Sequence, residues 1–257
     1  MAEAARTRDR PRLRWGGAAF VVAVCAAGLL FGTGRHAHAA LGTPVCGTLP
    51  QGVTTWNAAG SPYLMCDLGV FVNQGSTLNL DATLGAVTVQ ATGRGPLQVA
   101  SGTVRTVNTS PVAHVSFDGP SATRGAWYGI LLGSAHYNTD TTSAALSYVD
   151  IAHAQGGIQV SGAKSVALDH IAVSESRGGI FADSPLTLTS STVHGVDQEG
   201  IHVECFGLPV SVTDNAVDAA GWTGWSSGTK PGCRATRLRS HATRSPTAAL
   251  PASDIRG

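Results

Sequence analysis

Charge is scarce in this sequence. Only 13% of its 257 residues are Asp, Glu, Lys or Arg, and they balance to a formal net charge of +1. No cationic stripe is available to neutralise a phosphate backbone, so no nucleic-acid partner is expected. Aromatics are also thin, at 6%, and runs of strong helix formers are few, which weighs against a helical bundle. No C-x-x-C spacing occurs, which sets aside thiolate zinc sites and redox pairs. Nor does any stretch reach the roughly 20 apolar residues that a membrane-spanning helix wants; GGAAFVVAVCAAGLLFG, at 16–32, falls short of it.

That apolar run has an address-like setting. Arg6, Arg8, Arg10, Arg12 and Arg14 precede it and the small-residue site Ala37-His38-Ala39 follows, the order of a secretory signal peptide. The expectation is a signal over 1–39, an exported chain at the cell surface or beyond, and no stable membrane span after cleavage. Four cysteines then remain, Cys46, Cys66, Cys205 and Cys233. Outside the cytosol they tend to pair. Four allow three connectivities; Cys46–Cys66 is the expected bridge because both lie in the same N-terminal segment.

What the sequence does have is glycine, 32 of them, and a period. A Gly-Ile pair recurs at Gly129-Ile130, Gly157-Ile158, Gly179-Ile180 and Gly200-Ile201, with the Ile positions 28, 22 and 21 residues apart. Between them lie short apolar alternations such as ALSYVDI, SVALDHIAV and LTLTSSTV, each of period two and bounded by small polar residues suited to sharp turns. Strands this short cannot bury a face alone, but stacked coils of about 20–25 residues bury a continuous apolar column. No helical half, as in a leucine-rich repeat, and no forty-residue blade, as in a propeller, fits this spacing. The expected fold is all-β: a right-handed parallel β-helix solenoid over 40–225 with disordered termini. After Val217 the period weakens, although GWTGW puts Trp225 where the next Gly-Ile belongs. Residues 226–257 read as a disordered or aberrant tail without strand alternation. No capping element is visible, which points to an array cut short at its C-terminal end.

These motifs carry a resemblance. LSYVDI followed by GGIQV, and LTLTSSTV before GIHV, look like the right-handed parallel β-helix repeats of secreted bacterial proteins with the pectate-lyase-like superfamily fold. Upstream, TTWNAAGSPYLM, GVFVNQGSTLNLD, LQVASGTV and RGAWYGI resemble the lead-in and first coils of that group. The likeness covers roughly 48–217 and specifies fold far better than activity. Polygalacturonase-like hydrolases also carry D-D, G-H-G and R-I-K beside N-T-D; here Asn138-Thr139-Asp140 stands alone.

Aligning the Gly-Ile strands places Leu131, Gln159, Phe181 and His202 in one outward column and Gly133, Ser161, Asp183 and Glu204 in the next, with neighbouring coils about 4.8 Å apart. Asp183 and Glu204 would then be stacked carboxylates beside His202, with Asp197 and Glu199 on the preceding turn. Such a set suits a Ca²⁺ site built from Asp183, Glu204, Asp197 and Glu199. It equally suits acid/base work on a sugar chain by Asp183, Glu204 and His202, and the resemblance to pectate-lyase-like enzymes, which use an Arg base, implies that role for Arg177 in SESRGG, one turn before the Asp183 strand; the plain alternative is a solvated strand. Asp150, His153, Asp169, His170 and Glu175 scatter without convergent spacing, and Asp169 and His170 read as turn residues. Trp127, Tyr128, Tyr137, Tyr148 and Phe181 are candidate sugar-stacking platforms. The functional expectation is a noncatalytic secreted or surface module binding a polysaccharide or other cell-surface component. The alternatives are a polysaccharide lyase or glycoside hydrolase, and a truncated fragment without activity of its own.

Overall fold

The computed structural model of the chain describes residues 42–134, 140–204, 208–221, 225–227 and 233–241. The 1–39 segment read from sequence as a signal peptide, Cys205, Tyr137, Asn138 and Thr139 lie outside them. Strand pairs with strand in parallel, coil over coil, for about 7 turns. The chain is a parallel β-solenoid. Each coil passes over three faces: one runs through 165–169 on the first, 171–174 on the second and Gly178–Ala182 on the third.

Alternation explains the interior. On the third face Val70, Leu97, Ile130, Ile158, Ile180 and Ile201 pair in succession, and none is more than 1% exposed. The ladder read from the Gly-Ile period is therefore the core, and the backbone register continues it to Trp225. Val72, Val99, Leu132, Val160, Ala182 and Val203 form a second buried row two residues on. The glycines before Ile130, Ile158 and Ile180 are fixed by the closeness of the coils. A Cβ at Gly179 would collide with the Gly200 carbonyl oxygen and reach within 2.8 Å of Val193 Cγ1.

In the later coils one residue turns the corner from the first face to the second. Tyr148, His170, Ser190 and Asp214 take positive φ of 52°, 51°, 49° and 55°, a conformation that costs little only for a few residue types. His170 is thus the turn residue that the sequence suggests. A corner interrupts the backbone ladder, and buried side chains mend it. Ser191 Oγ accepts from the Ile171 N–H at 3.0 Å, the Ser191 N–H donates to Asn215 Oδ1 at 2.8 Å, and Asn215 Nδ2 donates to the Leu188 carbonyl at 3.1 Å. These bonds spare the corner the cost of buried unpaired amides.

Cys46 and Cys66 form the disulfide, their Cα atoms 5.2 Å apart, and join the first two passes of the chain. At the far end, Trp225–Ser227 and Cys233–His241 extend the stack into the segment read from sequence as lacking strand alternation. Val210 pairs with Cys233, Val212 with Ala235 and Asn215 with Leu238. The step of three across the corner breaks the period, and arginines between these positions mask what remains of it.

Candidate functional site

The outward columns fall where the strand register puts them, but not every side chain follows. Gln159, Phe181 and His202 are successive partners on the third face. The Phe181 and His202 rings stack, their centroids 5.2 Å apart and their planes 13° from parallel. Asp183 and Glu204 follow these strands, and here the expected pair of stacked outward carboxylates is corrected. Asp183 is buried, 5% exposed. It accepts from Ser161 Oγ at 2.9 Å, Ser184 Oγ at 3.0 Å and the Gly162 N–H at 3.3 Å. The chain leaves the strand at Ala182, so alternation no longer sets the side-chain direction, and the carboxylate turns in to tie the corner of the preceding coil.

The remaining carboxylates divide between two clusters. His202 Nδ1 lies 2.8 Å from Glu199 Oε2, and its Nε2 lies 3.4 Å from Glu204 Oε1. Asp197 is bound instead by Arg124, whose guanidinium also binds Glu175 Oε2 at 2.6 Å. Glu175 is held below its ordinary range, chiefly by the hydrogen bond from Arg124. The four residues read as a calcium set thus have three different surroundings, and no group of three or more His, Cys, Asp or Glu among the described residues is placed to hold a metal ion. Arg177 is exposed and crosses the 119–129 loop: a Cβ at Gly125 would meet its Nε at 2.7 Å.

Beside the ring stack is a groove of about 340 Å³. Its lining combines the Phe181 and His202 rings, the amides of Gln155, Gln159 and Gln198, and Glu199. Its floor is backbone, at Gly156 and Gly178 among others. A Cβ at Gly178 would meet nothing nearer than 3.5 Å, so this stretch of floor is bare because the residue is glycine. Gln155 and Gln198 were not among the residues picked out from sequence. They stand three positions before Ile158 and Ile201, at the same point of two repeats, and that recurrence was their signal. Each glutamine offers two donors and an acceptor with no charge, and the rings offer apolar faces and edges. The combination suits a ligand dense in hydroxyls with some apolar surface.

The other candidates have local roles. Trp127 is 1% exposed, packs on Phe117 and donates from Nε1 to the Ala152 carbonyl at 2.8 Å, so it belongs to the core and is no sugar platform. Tyr148 stacks on His170 at 4.4 Å. Tyr128 is exposed with the Arg94 guanidinium over its ring. Asp140 is buried; burial pushes its carboxyl up, but bonds from Thr142 and Ser101 outweigh this and hold it low. It closes a turn. Asp169 follows the same balance, with Thr189 and His170 as donors. Asp150 faces His114 at 3.1 Å and His153 faces Asp118 at 2.6 Å.

Comparison with protein-family models, with curated proteins and with solved structures finds no match to this chain. No helix among the described residues is long and apolar enough to cross a membrane.

Proposed function

We propose that the chain is an exported, noncatalytic β-helix module that binds a glycan in the groove beside Phe181. One observation carries this reading: the stacked Phe181 and His202 rings share a groove with three glutamine amides and one carboxylate. Sugars present apolar C–H faces and a fringe of hydroxyls, which rings and uncharged amides complement. The reading of the N-terminus as a secretory signal supports a place at the cell surface or beyond, and the Cys46–Cys66 bridge accords with an oxidising compartment. The pectate-lyase-like resemblance supports an extended carbohydrate-facing surface. The noncatalytic part of the reading is supported by Asp183, which is buried and accepts hydrogen bonds at the corner.

Affinity electrophoresis through gels containing soluble polysaccharides tests the proposal. The wild-type chain is expected to be retarded by at least one of them without releasing reducing ends or unsaturated products. Phe181→Ala is expected to weaken that binding about threefold to tenfold, in line with roughly 0.5–1.5 kcal/mol for an aromatic contact. Retardation untouched by Phe181→Ala and by Gln159→Ala would place binding elsewhere, and turnover of any polysaccharide would overturn the noncatalytic reading.

A further inference from the structure

We propose that Arg124 is a positioning residue for the groove: from the 119–129 loop it ties together the three successive corners that lead into Gln155, Gly178 and Gln198. The inference rests on the glycan-binding reading and assigns that site a residue outside its lining. The corners 153–155, 175–177 and 197–200 each join a strand of the second face to one of the third, in three successive coils. The loop is fastened to the first of them by its backbone. The Gly125 N–H donates to the Ala154 carbonyl at 3.2 Å, the Ala126 N–H to the His153 carbonyl at 2.9 Å, and the Gln155 N–H back to the Trp127 carbonyl at 2.7 Å. The Arg124 guanidinium then reaches the other two, with Nη2 on Glu175 Oε2 at 2.6 Å and Nη1 on Asp197 Oδ1. Each anchor is close in sequence to the lining: Ala154 precedes Gln155, Glu175 stands three before Gly178, and Asp197 precedes Gln198.

The backbone beneath this ion pair is a second observation. His153, Glu175 and Gly195 directly follow the register column Ala152, Ser174 and His194, and they share positive φ of 57°, 43° and 62°. That conformation suits glycine and strains a glutamate. At 195 the residue is glycine, and a Cβ there would collide with Glu175 Oε1 and lie 3.6 Å from Arg124 Nη2. One member of the column thus gives up its side chain to leave room, while another keeps a side chain against its backbone preference. Both serve the same contact. Strain held in place by its surroundings points to use at that place, and stability is a poor account of it, because exposed ion pairs add little. A planar guanidinium also fits the task, since its fork orients two carboxylates where an ammonium would act as a point charge. Corners fixed beforehand spare a ligand the cost of ordering the segments that carry Gln155 and Gln198.

The test sets affinity electrophoresis of the full chain through galactomannan and hydroxyethylcellulose beside thermal melts and amide hydrogen exchange. The proteins are the wild type, Arg124→Ala, Glu175→Gly and the double variant. Because the ion pair is exposed and glycine relieves the strain at 175, the Tm is expected to shift by less than about 4 °C in each variant. Affinity for the polymer that the wild type binds is expected to fall about threefold to tenfold in Arg124→Ala, the cost of ordering a side chain left loose. The double variant is expected to lose no more than Arg124→Ala, since the two residues act as one unit. In Arg124→Ala the Gly178 and Gln198 amides, which donate to the Gln155 and Arg177 carbonyls at 3.0 and 2.8 Å, are expected to exchange about threefold faster or more, while the Ile180 amide on the Gly200 carbonyl keeps its rate. Unchanged affinity in Arg124→Ala, additive losses in the double variant, or an equal loss of protection at Ile180 would each overturn the inference and leave glycan binding standing. A wild type that binds neither polymer would count against the glycan reading, and unchanged Gly178 and Gln198 exchange in Arg124→Ala would overturn the role of Arg124 independently of any ligand.

Discussion

The early and late coils of this solenoid solve the same corner differently. Before residue 134 the first and second faces are joined by connections of several residues, such as 82–86 and 108–114, and the second and third by the loop 119–129. From Ser143 onward a single strand bends through one left-handed residue, as at Tyr148 in Ser143–Ala152 and His170 in Ser165–Ser174. A one-residue corner leaves no slack, so successive coils superimpose and their outward side chains meet along the stack. Tyr148 lies on His170, and Phe181 on His202. The long connections contribute differently. They supply reach: Arg124, in the 119–129 loop, spans to Glu175 and Asp197 two and three coils further on. Tight repetition makes the groove, and irregularity supplies the arm that lies near it.

The sharpest way to break this division is to charge the regular core. Ile180 is 1% exposed and has a paired coil on each side. Ile180→Asp buries a carboxylate without a partner and is expected to cost more than about 4 kcal/mol, abolishing the cooperative thermal transition. The matched change in an early connection, Leu84→Asp at a site 74% exposed, is expected to stay within about 0.5 kcal/mol. Thermal melts followed by circular dichroism compare the two, and equal effects would refute the assigned register.

The disulfide offers a second and more local break. Cys46 and Cys66 are 20 residues apart, a loop whose closure is worth about 3 kcal/mol in the chain-entropy account. Because coils contact mainly their neighbours, Cys46→Ser/Cys66→Ser is expected to lower hydrogen-exchange protection in 43–72 and leave that of 156–203 near wild type. Uniform loss across both regions would mean that the stack opens as one unit.

Legibility in the sequence follows the same division. The core ladder at Ile130, Ile158, Ile180 and Ile201 was readable because Gly-Ile marks a position where coil contact excludes a side chain and the next residue points inward. The column of Gln159, Phe181 and His202 was readable for the same reason, since alternation holds within a strand. Asp183 was misplaced because it stands one residue past its strand, where side-chain direction is set by the hydroxyls and amide awaiting an acceptor. Gln155 and Gln198 were overlooked because neutral amides carry no acid, base or metal chemistry to draw attention. Strand Cys233–His241 pairs with Val210–Asp218 by backbone register, but in sequence arginines stand between its register positions and leave little apolar contrast.

Corner and strand can be separated by mutation at neighbouring register positions. Asp183→Ala removes three hydrogen-bond acceptances at a buried corner and is expected to cost about 1–3 kcal/mol. Glu204→Ala, at a side chain 40% exposed, is expected to fall within about 0.5 kcal/mol. Calcium at millimolar concentration is expected to shift the Tm of neither variant nor of the wild type. A calcium-dependent rise that vanished in both variants would restore the shared-ion arrangement.

The smallest effect expected is at the arm. Exposed ion pairs contribute about 0–1 kcal/mol, so Arg124→Ala is expected to lower the Tm only slightly, but its pH dependence has a definite sign. The hydrogen bond from Arg124 holds the Glu175 carboxyl below its ordinary value of 4.5. A depressed carboxyl contributes stability that is fully present above its unfolded value and is lost as pH falls through the lower folded one. Tryptic cleavage is unsuitable as the probe because the variant removes a site, so the readout is hydrogen exchange of the Gly125 and Ala126 amides, which donate to the Ala154 and His153 carbonyls at 3.2 and 2.9 Å. In the wild type their protection, corrected for intrinsic exchange, is expected to hold near neutrality and fall only as acid takes the pH below the ordinary Glu value of 4.5, where protonation of Glu175 opens the ion pair. In Arg124→Ala it is expected to start lower and change little over the same range. An equal acid-induced loss in both proteins would show that Arg124 does not hold the loop and that the early coil keeps its shape by its backbone bonds alone.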